Sequence, residues 1–284
     1  LLIVCTFPMC MSVNQKKDLS EETSLNIKNM NNDTYYPGEN YKLVWADEFD
    51  REEINPDNWS FQVLEPGHFN DEWQRYTDSK ENAYIEDSCL VIKAIHISDN
   101  HGKGQYTSAR LNTAHKQSWK YGKMVARIKL PYGKGIWPAF WMLSENIDEH
   151  GGDTPWPQAG EIDIMEMFGF RSDAVVEANI HYAGLDGNHA MMGAADYHLP
   201  KGIFSDDFHV FELEWDEENI SWFVDGDKYA STPINTDERT EFHEDFFILL
   251  NVAVGGAFAG RPDETTQFPQ MMHVDWVRVY QKDY

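Results

Sequence analysis

The chain has 284 residues, 42% of them hydrophobic and 14% aromatic, which is enough for one sizeable core and too apolar for general disorder. Its 48 acidic and 23 basic side chains give a formal charge of −25. Such a surface repels nucleic acid, anionic membranes and polyanionic polymers, and leaves a neutral polymer as the more comfortable partner.

The first stretch, LLIVCTFPMCMS, is apolar and is followed by the polar VNQKKDLSEETSLNIKNMNND. It is too short to span a bilayer and reads as the apolar part of an export signal, the rival reading being a buried N-terminal strand. Residues 1–38 are thus expected to be signal and linker, and residues 39–284 one folded domain, secreted or attached to the cell surface. Leu2-Ile3-Val4-Cys5 weakly resembles a lipoprotein cleavage box, which makes Cys5 or Cys10 a candidate for a lipid anchor, although Val4 is bulkier than the usual small residue. Cys89, in SCLVIKA, is expected to be a small core residue outside any disulfide framework.

Strand-like segments then follow one another. They are YKLVWADEF (41–49), AYIEDSCLVIKAI (83–95), GKMVARIKL (122–130), GIWPAFWML (135–143) and EIDIMEMF (161–168). VVEANIHYA (175–183), FHVFELEW (208–215), ISWFVDG (220–226), DFFILLNVAV (245–254) and HVDWVRVYQ (273–281) continue the series. They alternate, are rich in β-branched and aromatic residues, and are separated by Gly, Pro, Asn and Asp. WDEEN and VDGDK read as hairpin turns around the strand 220–226. No amphipathic helix of three turns stands out. The pattern predicts an all-β domain, a two-sheet antiparallel β-jelly-roll sandwich.

GEIDIMEMFG carries the chemistry. Side chains alternate along a strand, so Glu161 and Asp163 share a face while Glu166 falls on the other. Ile162, Ile164, Met165, Met167 and Phe168 are apolar, so one face is core, and unpaired carboxylates buried there would cost several kcal/mol. A solvated acidic face is the plain alternative. A β-bulge around Ile164–Met165 resolves the phase by returning Glu166 to the side of Glu161 and Asp163. The two glutamates would then stand about 13 Å apart at the backbone. Side chains leaning together could close this to roughly 5–6 Å, near the separation of about 5–5.5 Å expected of a retaining glycosidase. Asp163 between them could hold one acid protonated while its neighbour is ionised.

With these residues in view, the chain resembles glycoside hydrolase family 16 and, within it, the laminarinase-like endo-β-1,3(4)-glucanases. The likeness runs from about Tyr41 to Gln281, through LVWADEFD, YTSARLNT, GIWPAFWML, WPQAGEIDIMEMFG, NIHY, FHVFELEW, NVAVGG and VDWVRVYQ. It implies a curved jelly roll with a concave cleft, Glu161 as nucleophile, Glu166 as general acid/base and Asp163 as assisting carboxylate. Pyranose faces stack on Trp, and alternation in GIWPAFWML sets Trp137, Ala139 and Trp141 on one face, which favours the cleft over the core for Trp137 and Trp141. By resemblance, His181 lies near the acid/base and Arg110 contacts sugar; a structural His and a surface ion pair are the rival readings. Asn70 and Glu72 fall in HFNDEWQRYT, where Phe69 and Asp71 interrupt the family's Asn-Asn-Glu-Leu-Gln-like run.

No cofactor is expected for catalysis. The likeness does imply a structural calcium on the convex face at Asp275, with Glu48 as its neighbour, a hard-oxygen set suited to that ion. The Cys and His spacing suggests no catalytic zinc site, and no phosphate-binding loop follows a strand. The expected function is retaining, endo-acting hydrolysis of a neutral β-1,3 or mixed β-1,3/1,4-glucan by a monomer without a nucleic-acid partner. The alternatives are a lectin-like sandwich that only binds glycans, and a same-fold enzyme that cuts galactans or transfers glycan ends.

Overall fold

The computed structural model describes residues 35–98, 100–193 and 196–283. Residues 41–284 cluster as one compact unit; of the other unit, residues 1–40, only 35–40 are described, an irregular run ending in a turn. The expected signal, with Cys5 and Cys10, lies outside the described residues.

Among the described residues, eighteen strands, numbered in chain order, make two sheets. The ten-stranded sheet runs β16 (Asp227–Pro233), β15 (Asn219–Val224), β14 (His209–Trp215), β8 (Gly122–Lys129), β18 (Gln270–Lys282), β5 (Cys89–His96), β6 (Tyr106–Ser108) and β3 (Gln74–Tyr76). To it belong β1 (Tyr41–Asp47), which pairs with β18, and β4 (Ala83–Glu86), which pairs with β5. The eight-stranded sheet runs β12 (His189–Gly193), β11 (Val175–Ala183), β10 (Glu161–Glu166), β9 (Ile136–Ser144), β17 (Phe246–Val254), β7 (Arg110–Asn112) and β2 (Ser60–Phe61), with β13 (Tyr197–His198) on β11. Strand pairs are antiparallel apart from β3 with β6. Among the described residues the only α-helix is Gly256–Ala259. This is the jelly-roll sandwich that the strand pattern predicts.

Alternation decides what each strand buries. Along β9 and β17, Ile136, Phe140, Met142, Phe246, Ile248, Leu250, Val252 and Val254 enter the main core. There they meet Leu90 and Ile92 of β5, Met124 and Ile128 of β8, and Trp215 and Trp222 of β14 and β15. Burying each such side chain contributes about 1.5–3 kcal/mol, so the phase of these two strands is strongly set. The two hairpins around β15 form as read: Asp216 accepts the N–H groups of Glu218 and Asn219, and Asp225 and Gly226 supply the positive φ that the second turn requires. Cys89 is buried and in no disulfide.

The expected calcium ligands do not fit that ion. Asp275 meets Arg127 Nη1 at 2.6 Å, and Glu48 receives Nε and Nη2 of Arg278 at 2.6 and 2.8 Å. Each carboxylate is already neutralised by a guanidinium, so the pair offers a divalent cation no free negative charge.

Candidate active site

The other face of the eight-stranded sheet is roofed at both ends, and between the roofs Trp141, Glu161 and His181 are partly exposed. At one end Leu143, Phe247 and Leu249 pack under Ile147 and Ala159 of the loop 145–160. At the other, Trp137 and Ala253 pack with Phe168 and with Ala259 of the short helix. Between the two roofs, strand register lays down three rows. Phe247, Leu143, Glu161, His181 and Met191 form one; Asn112, Leu249, Trp141, Asp163, Asn179 and Gly193 the next; Arg110, Asn251, Ala139, Glu166 and Glu177 the third.

The third row exists because β10 carries a bulge. Asp163 lies opposite Trp141 and Met165 opposite Phe140, so β10 spends two residues where β9 spends one. Ile164 and Met165 both enter the core, and Glu166 emerges on the side of Glu161 and Asp163. Trp222 Nε1, from the opposite sheet, donates to the Asp163 carbonyl at 2.9 Å and holds the bulge. Strand entry needs Gly160: its φ is +83°, and a Cβ there would stand 3.0 Å from Glu241 and 3.1 Å from Phe246.

Each glutamate has its own indole donor. Trp156 Nε1 donates to Glu161 Oε2 at 3.0 Å, and Trp137 Nε1 to Glu166 Oε1 at 2.7 Å. Burial pushes the Glu161 carboxyl up to about 8, helped by the charge of Asp163 and opposed by His181, the Trp156 bond and Arg110. Burial also raises Asp163, with Glu177 adding to it. Glu166 goes well above the usual carboxylate range, through burial and then the charges of Asp163 and Glu161. The trio therefore shares protons near neutrality instead of ionising together.

His181 stands 3.1 Å from Asp163 Oδ2 and in register with Glu161, and its charge also acts on Glu166. Trp137 is on the expected face, but it is 8% exposed and its ring lies against Phe168 and Phe258; its polar edge serves Glu166. Trp141 is more open, with Arg110 4.7 Å from its ring and its Nε1 donating to Asn251 at 2.7 Å. Arg110 is buried, pairs with Glu149 at 3.0 Å and keeps an unpartnered Nε.

Glu72 is buried and accepts from Gln74, Tyr76 and Asn70. Tyr76 in turn accepts from Asn251, so Glu72 acts through a chain that ends at Trp141, while Asn70 is exposed. Sequence reasoning missed Trp156, His189, Asn179, Asn251, Glu149 and Trp222. Asn179 could have been found from its place two residues before His181 on the same face.

The ligand atoms of Glu161, Asp163 and His181 lie within 4.8 Å of one another, a set that could hold a metal ion. Without one, two glutamates with separate donors and an acid between them can divide the roles of nucleophile and proton carrier.

Known proteins share this architecture. The beta-glucanase of Rhodothermus marinus is 39% identical over 250 residues, covering 84% of this chain and 85% of its own length. The glucan endo-1,3-beta-glucosidase A1 of Niallia circulans is 37% identical over 263 residues, 84% of this chain, which spans 38% of that longer relative. The laminarinase catalytic domain of Thermotoga maritima MSB8 superposes with a TM-score of 0.76 at 44% identity, covering 87% of this chain and 100% of that one. Residues 68–278 match the glycosyl hydrolases family 16, and with the bulged acidic strand on the open face of its jelly roll, the chain belongs to that family.

Proposed function

We propose that the domain is an endo-acting, retaining β-glucanase that hydrolyses β-1,3 or mixed β-1,3/1,4-glucans by double displacement. The observation that carries this reading is the bulge, which puts Glu166 on the face of Glu161 and gives each acid a different indole donor. The names of the relatives, two glucanases and a laminarinase, supply the glucan.

Glu161, as carboxylate, attacks the anomeric carbon while Glu166 gives its proton to the departing glycosidic oxygen; an α-linked glycosyl-enzyme forms. Water then loses a proton to Glu166 and attacks the same carbon, which releases Glu161 as carboxylate and restores the β configuration. Asp163 shares a proton with the pair and keeps their ionisation unequal. Ala139, between Trp137 and Trp141 along β9 and beside Glu166 in register, leaves the floor low enough for a sugar ring. Trp141 offers the stacking ring, with the Arg110 guanidinium 4.7 Å from it. These steps use only side chains, so the chemistry needs no cofactor. A lectin-like role would leave the buried acids without a purpose.

Proton NMR of the first sugars released, read before mutarotation, should show the β-anomer. With an activated β-glycoside, azide should rescue Glu166→Ala to a β-glycosyl azide and Glu161→Ala to an α-glycosyl azide. An initial α-sugar from the unaltered chain would exchange retention for inversion and remove Glu161 as nucleophile. Reducing-end assays on laminarin, lichenan, agarose and carrageenan separate glucan from galactan cleavage, and product lengths reveal transfer. The same reading takes the domain as a monomer with no nucleic-acid partner, in line with its charge of −25. It also takes the chain as exported, with Cys5 or Cys10 as a lipid site; mass spectrometry of the membrane-bound protein would detect the acyl group.

A further inference from the structure

The nucleophile end of the acid trio has a second chemistry. His181 Nε2 is 3.1 Å from Asp163 Oδ2 and 3.9 Å from Glu161 Oε1. A tetrahedral zinc ion with bonds of about 2.0–2.1 Å spaces its ligands about 3.3 Å apart, a value these two gaps bracket. Two other observations point to a cation. Asp163 is 2% exposed, yet its Oδ2 lines up no hydrogen bond, although His181 is at contact distance. Nδ1 of His181 lies 2.9 Å from Nε2 of His189, and the two rings stack with centroids 5.2 Å apart.

When Nδ1–H is donated to His189, the His181 Nε2 keeps its lone pair and turns it towards two carboxylates. Three lone-pair atoms facing one another are relieved by a shared proton or by a metal cation between them. A partner on the far nitrogen is also how metal-ligating histidines are oriented. We propose that Glu161, Asp163 and His181 form an inhibitory site for a zinc-class divalent cation, oriented by His189 and exclusive of glucan. One imidazole with two carboxylates favours zinc over the all-oxygen preference of calcium and magnesium. A bound cation ties up Glu161, so the inhibitory consequence rests on the reaction proposed above, whereas the binding itself does not.

Calorimetric titration of the full chain with Zn²⁺ should show one site that is weakened at least 100-fold in His181→Ala. In His189→Ala, which keeps all three ligands, affinity should drop about 10–100-fold, as for other lost orienting partners. Glu166→Gln also keeps the three ligands while slowing hydrolysis. In that variant a laminari-oligosaccharide should raise the apparent zinc dissociation constant in proportion to its concentration. Equal zinc affinity in a folded His181→Ala, or in His189→Ala, would overturn the site. Zinc binding indifferent to saturating oligosaccharide would overturn the inhibition. Zinc held through His181 by a chain that cleaves no β-glucan would support the site and remove only the reading of the reaction.

Discussion

Trp156 and Trp137 do the same thing to different acids. An N–H donor favours a charged carboxylate, so each indole pulls its glutamate down against the burial that pushes it up. The free enzyme needs Glu161 ionised and Glu166 protonated, and kcat/KM against pH reports both requirements. Trp156→Phe removes the donor from Glu161 and raises its pKa, so the acid limb of the profile should move to higher pH. Trp137→Phe does the same to Glu166, so there the alkaline limb should move to higher pH. Mutual repulsion spreads a smaller part of each shift to the other limb. Profiles of the two variants on one soluble glucan check this. An alkaline-limb shift in Trp156→Phe with the acid limb fixed would mean that the glutamates hold each other's roles.

The bulge is where one element decides the chemistry, and Trp222 is the side chain that holds it from the opposite sheet. Trp222→Phe keeps most of the ring volume but leaves the Asp163 carbonyl without its donor. An unsatisfied buried acceptor costs about 1–3 kcal/mol, and at this domain size each kcal/mol lowers Tm by roughly 2–4 °C. A relaxed bulge also lets Glu166 drift relative to Glu161. A misplacement of about 1 Å can cost roughly 10²-fold, so kcat should fall about tenfold or more with KM changed little. Calorimetry and initial rates on the same preparation check both effects; a lower Tm with intact kcat would reduce Trp222 to core packing. The bulge is legible in the sequence because Ile164 and Met165 are both apolar while the acids on either side fall out of phase. The long strands are legible for another reason, since β9 and β17 are each nine residues of almost unbroken apolar sequence, buried on both faces. Strands β2 and β13 have two residues each, too few to show a period, and β12 is an exposed edge without polar contrast. Trp156 and Glu149 reach the site from a loop, where no periodicity places a side chain. The arginines that take Asp275 and Glu48 lie 148 and 230 positions away, and only the fold brings them together.

Over the whole molecule, the acid trio should leave a mark on stability as well as on rate. A carboxyl with a folded pKa above its unfolded value binds more protons in the native state, so stability falls as pH rises through that window. For Glu161 the favourable contribution is complete below the unfolded carboxylate range, at about pH 4, and is lost as pH climbs to about 8. Glu161→Gln preserves the shape of the side chain but cannot ionise, so it escapes this loss. Every other titration is shared by the two proteins to first order, including the general repulsion behind the net charge of −25. The Tm of Glu161→Gln minus that of the unaltered chain should therefore increase steadily from pH 5 to pH 8. Any fixed effect of the amide cancels, because only the slope is read. Scanning calorimetry across that range at constant ionic strength measures it. A flat difference would mean that Glu161 ionises in the native site as easily as in the unfolded chain. The crowding of Glu161, Asp163 and Glu166 on one face would then fail to explain how one glutamate keeps its proton while the other attacks.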